Sequence, residues 1–87
     1  MAYRITDAKV EKIDIAKNKL VIKARRLDTG EVRYLKTCFT IDNNTLITAK
    51  DNRSLILSDI KVGNKVTVDS MKMKNRKLLA KGICILN

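Results

Sequence analysis

The residues of this chain with the clearest chemistry are its cations. The 87 residues include 19 Lys and Arg against 9 Asp and Glu, which gives a formal net charge of +10. Such a charge favours encounter with polyanions, and cations that line one groove can follow a phosphate backbone. Two basic groups, the first within residues 17–36 and the second within residues 72–77, are candidates for binding nucleic acid. Tyr34 is a further candidate, as a ring on which a base can stack. The candidates are Lys17, Lys19, Lys23, Arg25, Arg26, Arg33, Tyr34, Lys36, Lys72, Lys74, Arg76 and Lys77.

The same charge has a second interpretation. Lysine at outward strand positions increases solubility and protects exposed sheet edges from pairing with other chains. Solubility explains either basic group alone slightly better than it explains two groups on one face. Because the sequence has no base-reading motif, we expect any binding to nucleic acid to have little sequence specificity.

Sulfur is the other chemistry in the sequence. Met71 and Met73 stand two apart in a predicted strand, so both thioethers can face a soft cation such as Cu(I), with a cysteine as third ligand. Such methionines more often fill or skirt an apolar surface. Cys38 and Cys84 lack Cys-x-x-Cys spacing, and the chain has no histidine to complete a structural zinc site. We therefore predict buried free thiols, no metal site and no cofactor.

Enzymatic chemistry has little support in the sequence. The chain has no histidine to act as a general base near neutral pH. It also has no nucleophile elbow, no phosphate-cradling glycine loop and no paired acidic cluster. We predict that the protein is not an enzyme.

Strands must position these residues, because the apolar residues are mainly Ile, Leu and Val and alternate with polar ones. The first strand runs from about Ile5 to Ile15 and changes the parity of its apolar residues, which indicates a bulge. Four further main strands are predicted along the chain. They cover about residues 20–25, 32–41, 65–73 and 78–86, with a brief strand at 46–48.

A short helical turn is predicted before the fourth main strand. Ser58 is expected to cap the turn, Gly63 to end it with a positive φ, and Val66 and Val68 to begin the strand. Five strands with one short helical turn before the fourth give the element order of an OB-like barrel. We predict a single all-β OB-like domain over residues 1–87, with a five-stranded SH3-like barrel as the alternative.

Four segments of the sequence carry a family resemblance, namely Phe39–Ile47, Leu57–Val68, Val10-x-x-Ile13-Asp14 and Leu20-x-Ile22. They resemble small bacterial OB-like β-barrel domains of largely uncharacterised function. The architecture of that group is similar to that of the periplasmic copper and silver efflux chaperones, which bind metal with methionines, a histidine and a neighbouring tryptophan. This chain departs from that pattern, because it has no histidine or tryptophan and Met71 lies outside the corresponding strand. The Lys-Val-Gly entry into a strand also resembles nucleic-acid-binding OB modules of the ribosomal-protein and cold-shock kind.

Together, these patterns predict a non-enzymatic module that binds RNA or single-stranded DNA weakly and through its basic strand faces. The alternative is a protein-interaction or assembly module, because residues 83–86 are apolar on both strand parities and one side must be covered. The expected partners are thus nucleic acid, a protein or a second copy of the chain. Because no segment resembles a signal peptide or a membrane span, we expect a cytoplasmic location and no membrane partner.

Overall fold

The chain folds into one antiparallel-rich sheet that closes on itself. The computed structural model describes residues 2–28 and 30–87, and the side chains of residues 26–28 lie outside this description. The strands are β1 (Ala2–Asp14), β2 (Lys19–Asp28), β3 (Glu31–Thr40), β4 (Leu46–Ala49), β5 (Ser54–Leu55), β6 (Lys65–Lys72) and β7 (Leu78–Ile85), and a 3₁₀ turn covers Leu57–Asp59.

The ring of the barrel consists of β1, β2, β3, β7 and β6. The sheet order is β3-β2-β1-β6-β7-β4-β5, and an additional pairing of β3 with β7 closes the ring. The ring order, counted in chain order of its five members, is therefore 1-2-3-5-4, as in an OB barrel. The prediction of a five-stranded OB-like barrel with a short helical turn before its fourth strand is confirmed.

Strand β1 serves both sides of the barrel because it bends. Its first part pairs with β6 and its last part with β2, and the register shifts between Ile5 and Ala8 and again between Val10 and Lys12. Asp7 has a φ of 54° at the first shift. The predicted change of parity in this strand is thus a real irregularity.

The core is aliphatic except for Phe39, which is fully buried. Alternate residues of each ring strand point inward, as expected for a sheet with one buried face. The buried apolar residues are Ala8, Val10, Leu20, Ile22, Phe39, Ile41, Ile47, Ile60, Val66, Val68, Ala80, Ile83 and Ile85.

The short turn before β6 differs from the prediction at its start and agrees at its end. The turn begins after Ile56, whose N–H donates to Asp59 Oδ2 at 2.9 Å. Ser58 lies inside the turn, so its predicted role as cap is wrong. Gly63 has a φ of +94°, as predicted, and its N–H donates to the carbonyl of Val10 at 2.9 Å.

The last strand is paired along both of its edges within the chain. Strand β7 pairs with β6 along one edge and with β4 along the other. Ile83 and Ile85 point into the core, while Cys84 is half-buried beside β4, with its sulfur 3.9 Å from the carbonyl of Ala49. None of residues 83–86 is exposed, so the structure gives the expected apolar contact on the C-terminal strand no support beyond the sequence pattern. In the described part of the chain, no helix is long and apolar enough to cross a membrane.

Candidate functional site

The first basic group lies on the hairpin of β2 and β3. Lys23 stands opposite Lys36 and Arg25 opposite Tyr34, so these four residues share the outer face. Lys17 lies in the turn before β2, Lys19 lies at the start of β2, and the backbone of Arg26 pairs with that of Arg33.

Several members of this group already have partners. The Nζ atom of Lys23 lies 4.7 Å from the centroid of the Tyr34 ring and 3.8 Å from a carboxylate oxygen of Glu11. Arg33 pairs with Glu31 at 3.5 Å. The ring of Tyr34 thus carries a cation from its own chain on one face, which reduces its value as a stacking platform.

The second basic group lies on the hairpin of β6 and β7. Arg76 occupies the left-handed region with a φ of 67°, and its N–H donates to the carbonyl of Met73 at 3.0 Å. This tight turn leaves Lys72, Lys74, Arg76 and Lys77 exposed. The two basic groups approach each other where β3 joins β7.

Two neighbouring cavities lie at this junction. The inner cavity, of about 380 Å³, is lined by Tyr3, Arg4, Ile5, Thr37, Ser70, Lys72, Arg76 and Leu78. The outer cavity, of about 370 Å³, is lined by Lys19, Lys36, Thr37, Cys38, Thr40, Arg76, Lys77 and Leu78. Neither lining includes an acidic residue. Sequence spacing missed both cavities, because residues far apart in the chain meet only when β3 pairs with β7.

One cation of the inner cavity is held by a carboxylate. Arg4 Nε lies 2.6 Å from Asp69 Oδ1, and the hydrogen bond and charge of Asp69 raise the pKa of Arg4 above its usual value. Both side chains are well exposed, so the pair adds little to stability. It does offset the charge of Arg4, which leaves Lys72 and Arg76 as the cations of this cavity without an ion pair among the described residues.

Three sulfur-bearing residues lie near the same junction, on the outer face. Met71 pairs with Leu79, which pairs with Thr40, and Met73 accompanies Lys77 at the end of the hairpin. Cys38 and Lys77 directly precede the first paired residues of β3 and β7, and both line the outer cavity. Cys38 and Met71 are exposed and Met73 is half-buried. Both cysteines were predicted to be buried, and this prediction is wrong for Cys38. Cys38 is exposed because β7 pairs with β3 only from Phe39 onward.

The two cysteines are free and lie apart. Cys84 stands opposite Thr48 of β4, whereas Cys38 lies near the start of β7. Lys77 and Cys84 are seven positions apart in the sequence, a span of roughly 23 Å in a strand. Among the described residues there is also no group of three or more His, Cys, Asp or Glu that could hold a metal ion. Any metal site in this part of the chain would therefore need the methionines.

Comparison with known proteins identifies the fold but no family. No protein-family model and no curated protein matches the sequence. Among solved structures, CusF with Ag(I) matches with a TM-score of 0.70 and 20% identity, over 99% of each chain. A tryptophan-to-alanine variant of CusF from Escherichia coli with Cu(II) matches with a TM-score of 0.70 and 19% identity, over 99% of this chain and 92% of that one. At this identity the likeness establishes an OB-like β fold, in agreement with the predicted resemblance.

The predicted nucleic-acid function is contradicted by these neighbours. Both are structures of CusF with a metal ion, Ag(I) in one and Cu(II) in the other. The prediction was wrong because it rested on net charge, which attracts any polyanion and does not specify the kind of ligand. The fold also places no second aromatic platform beside Tyr34, since Phe39 is buried. The roles of the twelve candidate side chains as a binding set stay untested.

Proposed function

We propose that this domain is a non-enzymatic module that binds a soft monovalent metal ion, Cu(I) or Ag(I), through Cys38, Met71 and Met73. The observation that carries the proposal is that Cys38 of β3, Met71 of β6 and Met73, which directly follows β6, lie on the outer face on either side of β7. Support also comes from the fold, which is shared with CusF structures that contain silver or copper. Thiolate and thioether sulfurs are the ligands that select Cu(I).

The spacing of the sheet allows the three sulfurs to converge. Adjacent strands lie about 4.8 Å apart, so the Cα atoms of Cys38 and Met73 should be about 10 Å apart, with Lys77 between them. Met71 and Met73 stand two apart and point to the same side. Methionine has three rotatable bonds, and its sulfur can therefore reach across a neighbouring strand toward the cysteine.

The ligand set differs from that of the copper and silver efflux chaperones that the sequence resembles. The chain has no histidine and no tryptophan, so sulfur must supply all protein ligands in this proposal. Cys38 binds as a thiolate, and binding therefore releases a proton. The ammonium of Lys77 repels a free cation but attracts the thiolate of Cys38. An ion bound to that thiolate is therefore repelled less than an aquated ion would be.

Anaerobic titration with Cu(I) in competition with a chromophoric chelator tests the proposal. We expect one ion per chain, and we expect Cys38→Ser to weaken binding by at least about tenfold, equivalent to about 1.4 kcal/mol. Met71→Leu and Met73→Leu keep the volume and remove the sulfur, and each should weaken binding less than the cysteine change.

The matched control is Cys84→Ser, which removes the other thiol on the far part of β7. This variant should bind Cu(I) as the unchanged protein does. Equal affinity of all four variants, or loss of binding only in Cys84→Ser, would refute the sulfur set.

A further inference from the structure

Strand β3 has one open edge. From Glu31 to Cys38 it pairs only with β2, and its pairing with β7 begins at Phe39. Within the described residues, no backbone group of this segment forms a hydrogen bond outside the strand pairs. Every second residue of an antiparallel strand turns its N–H and C=O away from its partner. The segment therefore presents a row of free backbone groups, which is a template for an added strand.

The side chains around this edge are apolar to an unusual degree for an exposed segment. Val32 is 46% exposed, Tyr34 59% and Leu35 48%. Because Tyr34 and Leu35 are neighbours, they point to opposite faces of the hairpin. An added strand would therefore find an apolar contact on each face.

The open edge ends between the inner and outer cavities. Thr37, Arg76 and Leu78 line both of them. Since successive side chains of a strand point to opposite faces, an added strand sends alternate side chains toward the inner and the outer cavity. The two cavities can thus read the sequence of the added strand, while the edge binds its backbone.

The charge of the cavities selects the kind of strand. Among the described residues, the lining cations without an ion pair are Lys19, Lys36, Lys72, Arg76 and Lys77. Carboxylates entering the cavities would meet these cations and no acidic side chain. A second copy of the chain is disfavoured as the occupant, because each copy has a net charge of +10.

We infer that the open edge of β3 binds an extended acidic segment of a partner protein as an added strand, with alternate carboxylates in the inner and outer cavities. This inference does not depend on the proposed metal function, since the backbone edge and the lysines carry it.

Fluorescence anisotropy in metal-free buffer with a labelled peptide that repeats Glu-Glu-Val-Val, which places carboxylates on both faces of the strand, tests the inference. A length of about ten residues covers the open edge. The double change Lys36→Glu/Lys77→Glu should weaken binding by at least about tenfold, because like charges in an interface cost several kcal/mol. The matched control is Lys50→Glu/Lys61→Glu, which changes the net charge equally at a cavity away from β3 and should bind nearly as the unchanged protein.

A second peptide separates strand addition from attraction by charge alone. Methylation of every second amide keeps its length and charge but removes the donors that face β3. We expect this peptide to lose binding, and we expect the unmodified peptide to slow amide exchange in residues 32–38 by NMR.

Three outcomes would overturn the inference. They are equal binding of the methylated peptide, equal binding by the two double variants, and displacement of the peptide by a single-stranded oligonucleotide of equal charge. Met73→Leu distinguishes this inference from the metal proposal, because Met73 lines neither cavity, so the change should weaken Cu(I) binding and leave peptide binding intact.

Discussion

Two hairpins of this barrel are both basic but have very different surroundings. The hairpin of β6 and β7 is flanked by β1 on one edge and by β4 on the other, and its strands alternate buried and exposed residues. The hairpin of β2 and β3 is open from Glu31 to Cys38, and all but one of those residues are exposed. We call these the closed hairpin and the open hairpin.

This difference in cover limits where a partner can bind. In the closed hairpin, both strand edges are paired and the inward apolar residues belong to the core, while Met71 stays exposed on the outer face. In the open hairpin, backbone groups, apolar side chains and cations are available together, and Cys38 lies at its base. Both proposed sites therefore depend on the place where β7 stops covering β3.

The sharpest test of this comparison uses one face of one strand. Phe39→Ala should lower the free energy of unfolding by about 3–5 kcal/mol, because the buried ring leaves a cavity. Leu35→Ala lies four residues earlier on the same face and should cost no more than about 1 kcal/mol, because the side chain is half-exposed. Urea unfolding followed by circular dichroism measures both. Equal losses would show that the open hairpin is covered in solution.

A hydroxyl on the closed side should have the next largest effect. Thr45 Oγ1 donates to the carbonyl of Ala80 at 2.6 Å and accepts from the N–H of Asp42 at 3.1 Å. Thr45→Val keeps the shape and leaves the carbonyl without this partner, at a cost of about 1–3 kcal/mol. Thr48→Val is the control, since the hydroxyl of Thr48 has no hydrogen bond among the described residues. Thermal and urea unfolding should separate the two variants.

A glycine at the entry to β6 tests the backbone of the closed side. Gly63 has a φ of +94°, and a Cβ there would contact nothing within 4 Å. Gly63→Ala should therefore cost about 1–2 kcal/mol through conformation alone. Gly82→Ala has ordinary φ and places its Cβ 3.9 Å from its nearest neighbours, so its unfolding midpoint in urea should change little. A larger loss at Gly82 would contradict this assignment of strain.

The smallest effect is expected on the open hairpin. Lys23→Ala removes the contact with Tyr34 and the pair with Glu11, yet it should cost less than about 1 kcal/mol because both contacts are exposed. The loss should shrink further in high salt. Urea titrations at low and high salt measure this, and a loss above that of Thr45→Val would reverse the ranking of the two hairpins.

Much of the fold was predictable from local pattern, and the site was not. The alternation of Val66 and Val68, the stop at Gly63 and the parity change in β1 are local, so sequence reasoning found them. Ser58 was misplaced as cap because the turn already begins after Ile56, whose N–H donates to the carboxylate of Asp59. The partial burial of Cys84 beside β4 could not be predicted from the apolar run at the C-terminus, because the position of β4 depends on closure of the barrel.

From the sequence alone we could predict a small, aliphatic, strongly basic β-barrel without the residues of common enzymes. These properties follow from composition and from periods of two residues along the chain. Only the tertiary structure decided that β7 covers β3 at Phe39 and Thr40 and not before. That limit exposes Cys38, leaves an open edge and brings distant lysines to two cavities, because contacts between strands depend on register across the sheet, which no local pattern encodes.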